Sequence, residues 1–425
     1  MDKIIIKRDI LKNLQHHLAK KEIMLLVGPR QAGKTTLMNM LRSQLEEKRE
    51  QTLFLSLDFE ENKKYFISQR AFLDKIKLEF GGQKGFIFID EIQRKVNAGV
   101  FLKGIYDLNL SHKFIVSGSG SLELKESIHE SLAGRKALFE ISPISFSEFI
   151  NFKTNYRYED KLNDFFAIEK GQTDTLLNEY MNFGGYPRVI LEETLADKQR
   201  VIDEIFRSYL ERDISFWLGV EKTEAFGDLV KIMAGQTGGL ANYAELSNTL
   251  NISYQTVKKF LWYLEKTFIL RKVTPYSTNK RKEITKSPVF YFVDIGLRNY
   301  SRGNFGRAGA IQTELGVVFE NLVFSMFVEK LRSSNAAIHF WRTKEGAEVD
   351  LVIDFGARLL PVEVKFQWLK ALKIERSMKS FVEKYEPPQA IIVNRNLKET
   401  ALIGKTEVQF LPFWCLLDDE MFARF

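Results

Sequence analysis

The first 150 residues alternate between two hydrophobic periodicities. DILKNLQHHLAKK (9–21) and KTTLMNMLRSQLEEK (34–48) carry apolar residues at helical spacing, whereas EIMLLVG, TLFLSLD, GFIFID and KFIVSGS are short apolar runs. Short apolar runs separated by amphipathic helices are typical of a parallel sheet with helices on both faces. The pattern therefore predicts an α/β domain over residues 1–155.

The rest of the chain divides into three further segments. Residues 156–235 have helical periodicity, interrupted at FGGYP (183–187), where two glycines and a proline require a turn. Residues 236–305 combine two amphipathic helices with two strands, and residues 306–425 mix helix and strand again. We therefore predict a helical region, a small helix–strand domain and a C-terminal α/β domain.

Composition narrows the class of protein. The 425 residues are 45% hydrophobic with a net charge of +7, which can fill several cores and permits nucleic-acid binding without demanding it. The apolar runs are far shorter than the ~18 residues of a membrane helix, and no secretory signal is visible. The single cysteine, Cys415, fits a reducing compartment. We expect a cytoplasmic protein with no membrane partner.

Residues 28–36, GPRQAGKTT, fit the phosphate-loop pattern G-x-x-x-x-G-K-[ST] between a strand and a helix. Backbone N–H groups of such a loop surround phosphates at the positive end of the following helix. Lys34 would reach the β- and γ-phosphates of ATP, and Thr35 would ligate Mg²⁺. The predicted nucleotide-binding residues are Gly28, Pro29, Arg30, Gln31, Ala32, Gly33, Lys34, Thr35, Thr36 and Asp90.

A second motif also predicts a nucleotide-binding site. FIFIDEIQ (86–93) is a buried strand that ends in Asp90 and Glu91, and two buried acids are costly unless a cation or a reaction uses them. Asp90 would hold the Mg²⁺, and Glu91 would polarise the attacking water. The alternative is an acidic strand end that faces solvent, which the phosphate loop upstream disfavours.

Two further residue sets complete the candidate ATPase site. KFIVSGSGS (113–121) ends in small hydroxyl residues, of which Ser117 or Ser119 would sense the γ-phosphate; such runs also simply make turns. Arg135 is the arginine predicted to offset charge that develops on the γ-phosphate. A solvated surface arginine is the alternative.

AELSNTLNISYQTVKKFLWYLEKT (244–267) has the pattern of helix, tight turn, helix. Ser253 would cap the second helix, and Leu246, Leu250, Ile252, Val257, Phe260, Leu261 and Leu264 would face the core. A basic loop between two predicted strands follows, as in a winged helix. The predicted DNA contacts are Gln255, Lys258, Lys280, Arg281 and Lys282. The alternative is a packing or partner-binding module with a solvated basic loop.

The stretch GAEVDLVIDFGARLLPVEVK (346–365) places acids and a lysine on what we predict to be paired strands. Alternation puts Glu363 and Lys365 on one face, and pairing would bring Asp350 beside them. Asp350 and Glu363 would hold Mg²⁺ through oxygen ligands. Glu320 interrupts the apolar part of the stretch GVVFENLVFSMFVEKL (316–331).

These motifs together resemble the AAA-type P-loop ATPases, in particular the group in which the ATPase precedes a domain of unknown function (DUF4143-like). The matching segments are GPRQAGKTTLM, FIFIDEIQ, IVSGSGS, LAGR, SPISFSEF, FGGYP, YLERDI, YFVDIGL, FENLVF, EVDLVID and VEVK, in that order over nearly the whole chain. The resemblance implies ATP binding more firmly than any biological role.

The arrangement E…D…ExK also resembles the PD-(D/E)xK nucleases, a restriction-endonuclease-like fold. The family's core residues would correspond to Glu320, Asp350, Glu363 and Lys365. Val349 stands where that family usually has proline, a tolerated departure. Acidic hairpins also produce this pattern by chance, and such domains are often kept for binding alone.

Two functional hypotheses follow. In the first, an ATPase couples its nucleotide state to a DNA-binding C-terminal region, with DNA cleavage left open. In the second, the chain uses ATP to regulate a protein partner and its nuclease-like domain is inactive. A metabolite kinase is a weak third hypothesis, because no acceptor pocket is visible in the sequence. Oligomeric state, and with it whether Arg135 would act in its own site or a neighbour's, is not encoded in these motifs.

Overall fold

The structure is a computed structural model that describes residues 4–119, 131–209, 223–279, 283, 286–307, 312–332 and 334–418. Its elements are numbered in chain order over those ranges. They form a five-stranded N-terminal sheet, a set of connecting helices and an eight-stranded C-terminal sheet. None of the helices in these ranges is long and apolar enough to cross a membrane.

The N-terminal sheet is parallel throughout, as the alternating pattern predicts. Its strands are β1 (Ile23–Gly28), β2 (Thr52–Ser56), β3 (Phe86–Asp90), β4 (Lys113–Ser119) and β5 (Lys136–Glu140). Their spatial order is β2-β3-β4-β1-β5, with every neighbouring pair parallel. The carboxyl ends of β1, β3 and β4 therefore meet at one edge, where a ligand site is expected in such sheets.

Helices cover both faces of this sheet. They are α1 (Ile10–His17), α2 (Lys34–Glu47), α3 (Glu60–Lys63), α4 (Gln69–Phe80) and α5 (Ala98–Asp107). Alternate residues of β1 face opposite cores: Met24 and Leu26 pack with α1 and α2, whereas Leu25 packs with α4 and α5. This two-sided burial explains why the strands are continuous apolar runs.

Helices connect the two sheets. They are α6 (Phe146–Lys153), α7 (Leu162–Ile168), α8 (Lys170–Phe183), α9 (Pro187–Leu191), α10 (Leu195–Ser208) and α11 (Thr223–Gly235). The predicted break at FGGYP is present: α8 ends before Gly184, whose φ is 71°, and α9 begins at Pro187. Glycine accepts this left-handed conformation without steric cost.

The predicted helix–turn–helix also forms. α12 (Tyr243–Thr249) and α13 (Tyr254–Lys266) precede the antiparallel strands β6 (Leu270–Pro275) and β7 (Val289–Phe292), and α14 (Ile295–Arg302) follows. The Ser253 side chain accepts a hydrogen bond from the Thr256 amide and caps α13. The expected apolar residues of α13 are buried, while Leu250 and Ile252 pack partly buried against them.

The C-terminal elements complete one large sheet. They are α15 (Gln312–Lys330), β8 (Ala337–Arg342), β9 (Glu348–Asp354), β10 (Leu359–Val364), α16 (Arg376–Tyr385), β11 (Gln389–Asn394), β12 (Glu399–Ile403) and β13 (Thr406–Pro412). β8, β9 and β10 are antiparallel neighbours, and β10, β11 and β13 are parallel neighbours. Because β6 pairs with β8, the predicted division at residues 305 and 306 runs through a continuous sheet.

Three segments that are distant in sequence meet at the FGGYP turn. The Ile144 amide donates to the Gly185 carbonyl at 2.7 Å, and the Gly185 amide donates to Asp294 Oδ2 at 2.7 Å. Asp294 also caps α14 through the Leu297 amide. A Cβ on Gly185 would lie 2.1 Å from the Ile144 carbonyl oxygen, so this packing requires glycine. The turn thus fastens the N-terminal sheet to the helices that follow.

Candidate functional site

The predicted phosphate loop lies between β1 and α2. Gly28, the last residue of β1, is so close to the next segment that a Cβ would be 2.0 Å from the Ile141 carbonyl oxygen. The loop turns through Gln31 and Gly33, with φ of 58° and 93°, and α2 begins at Lys34. The unpaired N–H groups of the first turn of α2 are therefore presented at the loop, where an anion is favoured.

The Lys34 ammonium is folded onto this loop. Its Nζ donates to the Gly28 carbonyl at 3.1 Å and to the Pro29 carbonyl at 2.8 Å, and the residue is 6% exposed. Burial lowers the pKa of Lys34 to about 8, although the nearby Glu91 and Asp90 carboxylates raise it. The direct hydrogen bonds of the ammonium thus go to neutral backbone carbonyls, which a phosphate oxygen, a stronger acceptor, could replace.

Asp90 joins two of the predicted residues. The Thr35 hydroxyl donates to Asp90 Oδ2 at 3.0 Å, and the Ser117 hydroxyl donates to Asp90 Oδ1. These side chains come from α2, β3 and β4, whose ends meet at the same sheet edge. A hydroxyl oxygen next to a carboxylate is the donor set that Mg²⁺ prefers beside phosphate, so the residues fit the predicted ion.

Glu91 follows Asp90 in a left-handed conformation with φ of 57°. Burial raises the pKa of the Glu91 carboxyl, an effect that Lys34 opposes and Asp90 adds to. The Gln93 side-chain amide donates to Glu91 Oε2, and its carbonyl oxygen accepts from the Ser119 amide at 3.3 Å. Gln93 thus ties Glu91 to the end of β4. Its position in FIFIDEIQ is the only sequence signal for this role.

An arginine that sequence reasoning missed also reaches the loop. The Arg188 Nη1 atom donates to Gln31 Oε1 at 3.0 Å and to Glu204 Oε1 at 2.8 Å. Arg188, Gln31, Lys34 and Glu91 line one cavity of about 910 Å³. Arg188 comes directly after FGGYP, so the turn places it at the loop.

The structure does not bring the predicted Arg135 to this site. Arg135 precedes β5, its carbonyl accepts from the Ile23 amide at the beginning of β1, and its Nε pairs with Asp107 at 2.7 Å. Because β1 and β5 are parallel, Arg135 lies at the amino edge of the sheet, opposite the phosphate loop at the end of β1. The structure therefore does not place Arg135 in the nucleotide site of its own chain, and the other alternative, a role in the site of a neighbouring chain, stays a prediction.

A buried ion pair supports the loop from behind. Arg8 Nε donates to both oxygens of Glu148, at 3.1 and 3.0 Å, and both side chains are less than a tenth exposed. Arg8 Nη1 also donates to the Ala32 carbonyl of the loop at 3.1 Å, and Nη2 donates to the Ser142 carbonyl at 2.7 Å. Neither residue stood out in the sequence, because long-range pairing leaves no local pattern.

The predicted DNA-contact residues divide into two sets. Gln255 and Lys258 lie exposed on α13, next to the exposed Tyr254, as the helical pattern predicts. Lys280, Arg281 and Lys282 lie outside the described residues.

The C-terminal residues of the nuclease-like pattern do converge. Val362 pairs with Leu351 across β9 and β10, and the Val364 amide donates to Asp350 Oδ2 at 2.7 Å. Lys365 Nζ lies 2.7 Å from Glu363 Oε1, which confirms that the two side chains share a face. The other Glu363 oxygen, Oε2, is buried without a hydrogen-bond partner among the described residues. We call Glu320, Asp350, Glu363 and Lys365 the acid–lysine cluster.

Burial and mutual repulsion shape the charge of this cluster. Burial raises the pKa of Asp350 to about 7, with Glu363 adding to the effect. Burial likewise raises the pKa of Glu320 to about 8, with Asp350 adding to it, although Tyr291 donates a hydrogen bond to Glu320 at 2.6 Å. No group of three acidic, histidine or cysteine side chains in the described ranges is arranged to hold a metal ion.

Family models match three segments of the chain. Residues 20–150 match an AAA domain, residues 174–308 a domain of unknown function (DUF8612), and residues 315–416 a domain of unknown function (DUF4143). The predictions of an AAA-type P-loop domain and of a C-terminal DUF4143 are therefore confirmed. The matches say nothing of a winged helix or a nuclease-like domain.

Similar whole proteins are uncharacterised. The protein Rv2008c of Mycobacterium tuberculosis is 27% identical over 89% of this chain and 77% of its own length. A Haemophilus influenzae protein is 25% identical over 98% of this chain and 100% of its own length. Among solved structures, the replication initiator DnaA bound to AMPPCP and single-stranded DNA is 14% identical, with 62% of this chain and 90% of that chain covered at a TM-score of 0.31. So low a score supports no conclusion about ligands.

The raised pKa of Asp350 predicts that the folded protein loses stability as the pH rises. Folding favours the protonated carboxyl, so wild-type stability falls as pH rises from the unfolded value of 3.8 through the folded value of about 7. We compare the free energy of unfolding of Asp350→Asn with that of wild type. We expect this difference to shift in favour of the variant by about 2 kcal/mol as the pH rises from 5 to 8, or by a few degrees in thermal midpoint.

The measurement is differential scanning fluorimetry at both pH values. Asp354→Asn, at the end of the same strand and outside the cluster, is the matched control substitution. An Asp350→Asn difference that is independent of pH would contradict the raised pKa.

Proposed function

We propose that the chain binds and hydrolyses ATP and passes its nucleotide state to the C-terminal domain. The observation that carries this proposal is the convergence of Lys34, Thr35, Asp90, Glu91 and Ser117 at one sheet edge, on the loop and strand ends of a matched AAA domain. Each of these residues has a partner or a position that suits one part of phosphoryl transfer.

The loop would bind the phosphates. Lys34 would exchange its two carbonyl partners for phosphate oxygens, a stronger acceptor than a neutral carbonyl. Thr35 and Asp90 would hold Mg²⁺, which neutralises phosphate charge when it is bound. The same cavity has three apolar side chains that are exposed to solvent: Ile4, Ile5 and Leu191. They would cover the adenine ring.

Glu91 would orient the attacking water and accept its proton. The raised pKa suits this role, because a general base works best when its pKa lies near the working pH. Gln93 would hold the Glu91 carboxylate in place and link it by a hydrogen bond to Ser119 at the end of β4. When ATP binds, Arg188 would give up its hydrogen bonds to Gln31 and Glu204. Its positive charge would then offset the negative charge on the γ-phosphate.

The coupling would run through the segment that follows β5. Arg8 joins this segment to the loop, and Arg332 Nη2, beyond α15, donates to Ser142 Oγ at 2.8 Å. Burial raises the pKa of Glu329 on α15 to about 7, with Glu148 adding to the effect, so these carboxyls are close. A displacement of the loop on ATP binding would therefore reach α15, which carries Glu320.

Two substitutions test the ATPase. Lys34→Ala should abolish binding of a fluorescent ATP analogue, whereas Glu91→Gln should bind it normally and release phosphate at least about 100-fold more slowly. Arg200→Ala, on the exposed face of α10, is the matched surface control. Phosphate release by Glu91→Gln at the wild-type rate would remove Glu91 from the mechanism.

A second candidate activity is metal-dependent cleavage of DNA by the acid–lysine cluster. The supporting observation is that its residues come together from α15, β9 and the end of β10. In the sheet, β8, β9 and β10 are antiparallel neighbours, and β11 extends them as a parallel neighbour of β10. The exposed Gln255 and Lys258 would hold the DNA. The competing proposal is an ATP-dependent regulator of a protein partner whose acid–lysine cluster has no chemistry.

Cleavage of supercoiled DNA in Mg²⁺ or Mn²⁺ separates these proposals. Wild type should nick the DNA, and Glu363→Gln and Lys365→Ala should each lower nicking at least about 100-fold. Glu383→Gln, an exposed acid on α16, should cut as wild type does. If purified wild type hydrolyses ATP and cuts no DNA, the regulator of a protein partner is the better account.

A further inference from the structure

The proposed ATPase chemistry assigns no role to the tyrosines of two sequence motifs, FGGYP (183–187) and YLERDI (209–214). Tyr186 belongs to the first motif, and Tyr209 is the first residue of the second and the one that the structure describes. Both residues are buried, with exposed fractions of 1% and 2%, and their hydroxyl oxygens lie 3.3 Å apart. The two motifs therefore meet at one buried pair of hydroxyl groups.

This hydroxyl pair contacts the phosphate loop. The Arg30 amide donates a hydrogen bond to the Tyr209 hydroxyl oxygen at 3.1 Å, across 179 residues of sequence. Arg30 is the third residue of GPRQAGKTT, before the first turn of α2. A hydroxyl oxygen has two lone pairs, so Tyr209 can accept this bond whichever tyrosine of the pair donates to the other. A main-chain N–H of the loop is thus held by the side chain that directly follows α10.

The next residue of the loop explains why the loop needs this support. Gln31 has a φ of 58°, a left-handed conformation that a residue with a side chain adopts at a cost and keeps only when its surroundings hold it. Tyr209 holds the preceding residue through its backbone, and Glu204 of α10 accepts a hydrogen bond from the Gln31 side-chain amide at 3.3 Å. The end of α10 therefore holds two successive residues of the loop.

Tyr209 lies behind the loop and not in the nucleotide cavity. Arg30, Gln31, Arg207 and Ser208 line that cavity, whereas Tyr209 is outside its lining and almost fully buried. Its hydroxyl therefore contacts the loop and not the space in which ATP would bind. Any effect of this hydroxyl on ATP has to pass through the conformation of the loop.

We propose that Tyr209 is a positioning residue of the ATPase. Its hydroxyl keeps the phosphate loop, before ATP arrives, in the conformation that receives the phosphates, and Tyr186 orients that hydroxyl. A loop that is already ordered pays less conformational entropy when its ligand binds, so the bond to Arg30 raises the affinity for ATP. This proposal rests on the ATPase proposed above and adds a residue that acts on binding and not on the chemical step.

The test measures kcat and KM for ATP by phosphate release, and the dissociation constant of a fluorescent ATP analogue. Tyr209→Phe removes the hydroxyl and keeps the ring. We expect its KM and dissociation constant to rise about tenfold, the factor typical of one lost hydrogen bond to a buried group. Its kcat should change by less than about twofold, because the residues of the chemical step keep their positions. Tyr186→Phe leaves the bond to the Arg30 amide in place and should raise KM about threefold.

Tyr385→Phe is the matched control, because the Tyr385 hydroxyl also accepts a hydrogen bond from an N–H group, that of Trp341 Nε1 at 3.3 Å, but in the C-terminal sheet. Its KM for ATP should equal that of wild type.

An unchanged KM in Tyr209→Phe, with or without a lower thermal midpoint, would overturn the positioning role and leave the ATPase standing. Tighter binding of the analogue would also overturn it, because the hydroxyl would then hold the loop in a form that refuses ATP. If Tyr209→Phe does not fold, Tyr186→Phe decides in the same way. Wild type that neither binds the analogue nor releases phosphate would overturn the ATPase itself.

Discussion

The buried ion pair between Arg8 and Glu148 is the constraint on which the rest of the structure depends. Glu148 accepts from Arg8 and also from the amides of Asp9 at 2.7 Å and Ser145 at 2.9 Å, so its charge is fully satisfied. Removal of one partner of such a pair typically costs about 3–5 kcal/mol, because the other charge stays buried. The pair therefore holds the N-terminal segment, the phosphate loop and the cap of α6 as one unit.

That unit is also where hydrogen bonds connect the two sheets. The segment after β5 contacts the loop through Arg8, the FGGYP turn through Ile144, and the C-terminal part through Arg332. Arg271 of β6 pairs with Glu140 at the end of β5, which adds a direct contact between strands of different sheets. We therefore propose that a change in the loop also reaches the C-terminal domain, since bistable packed interfaces transmit small shifts.

The sequence predicted what depends on local pattern, and missed what depends on long-range pairing. The phosphate loop, the buried strands, the cap at Ser253 and the shared face of Glu363 and Lys365 follow from spacing and period, and the structure contains them. Arg8 and Arg188 act through partners that no local pattern reveals, whereas Gln93 holds Glu91 two residues before it. Arg135 lies at the sheet edge opposite the phosphate loop because it precedes the parallel strand β5, which the hydrophobic pattern did not predict. The pairing of β6 with β8 likewise joins segments that composition separates.

Hydrogen exchange measured by mass spectrometry tests the coupling most directly. With a non-hydrolysable ATP analogue, amides of α15 and of β9 and β10 should change their exchange in wild type, in addition to those of residues 20–150. In Arg8→Gln, at analogue concentrations that saturate the site, the change should stay within residues 20–150. An equal C-terminal change in the variant, or none in wild type, would contradict a signal that passes from the phosphate loop through Arg8 and Glu148.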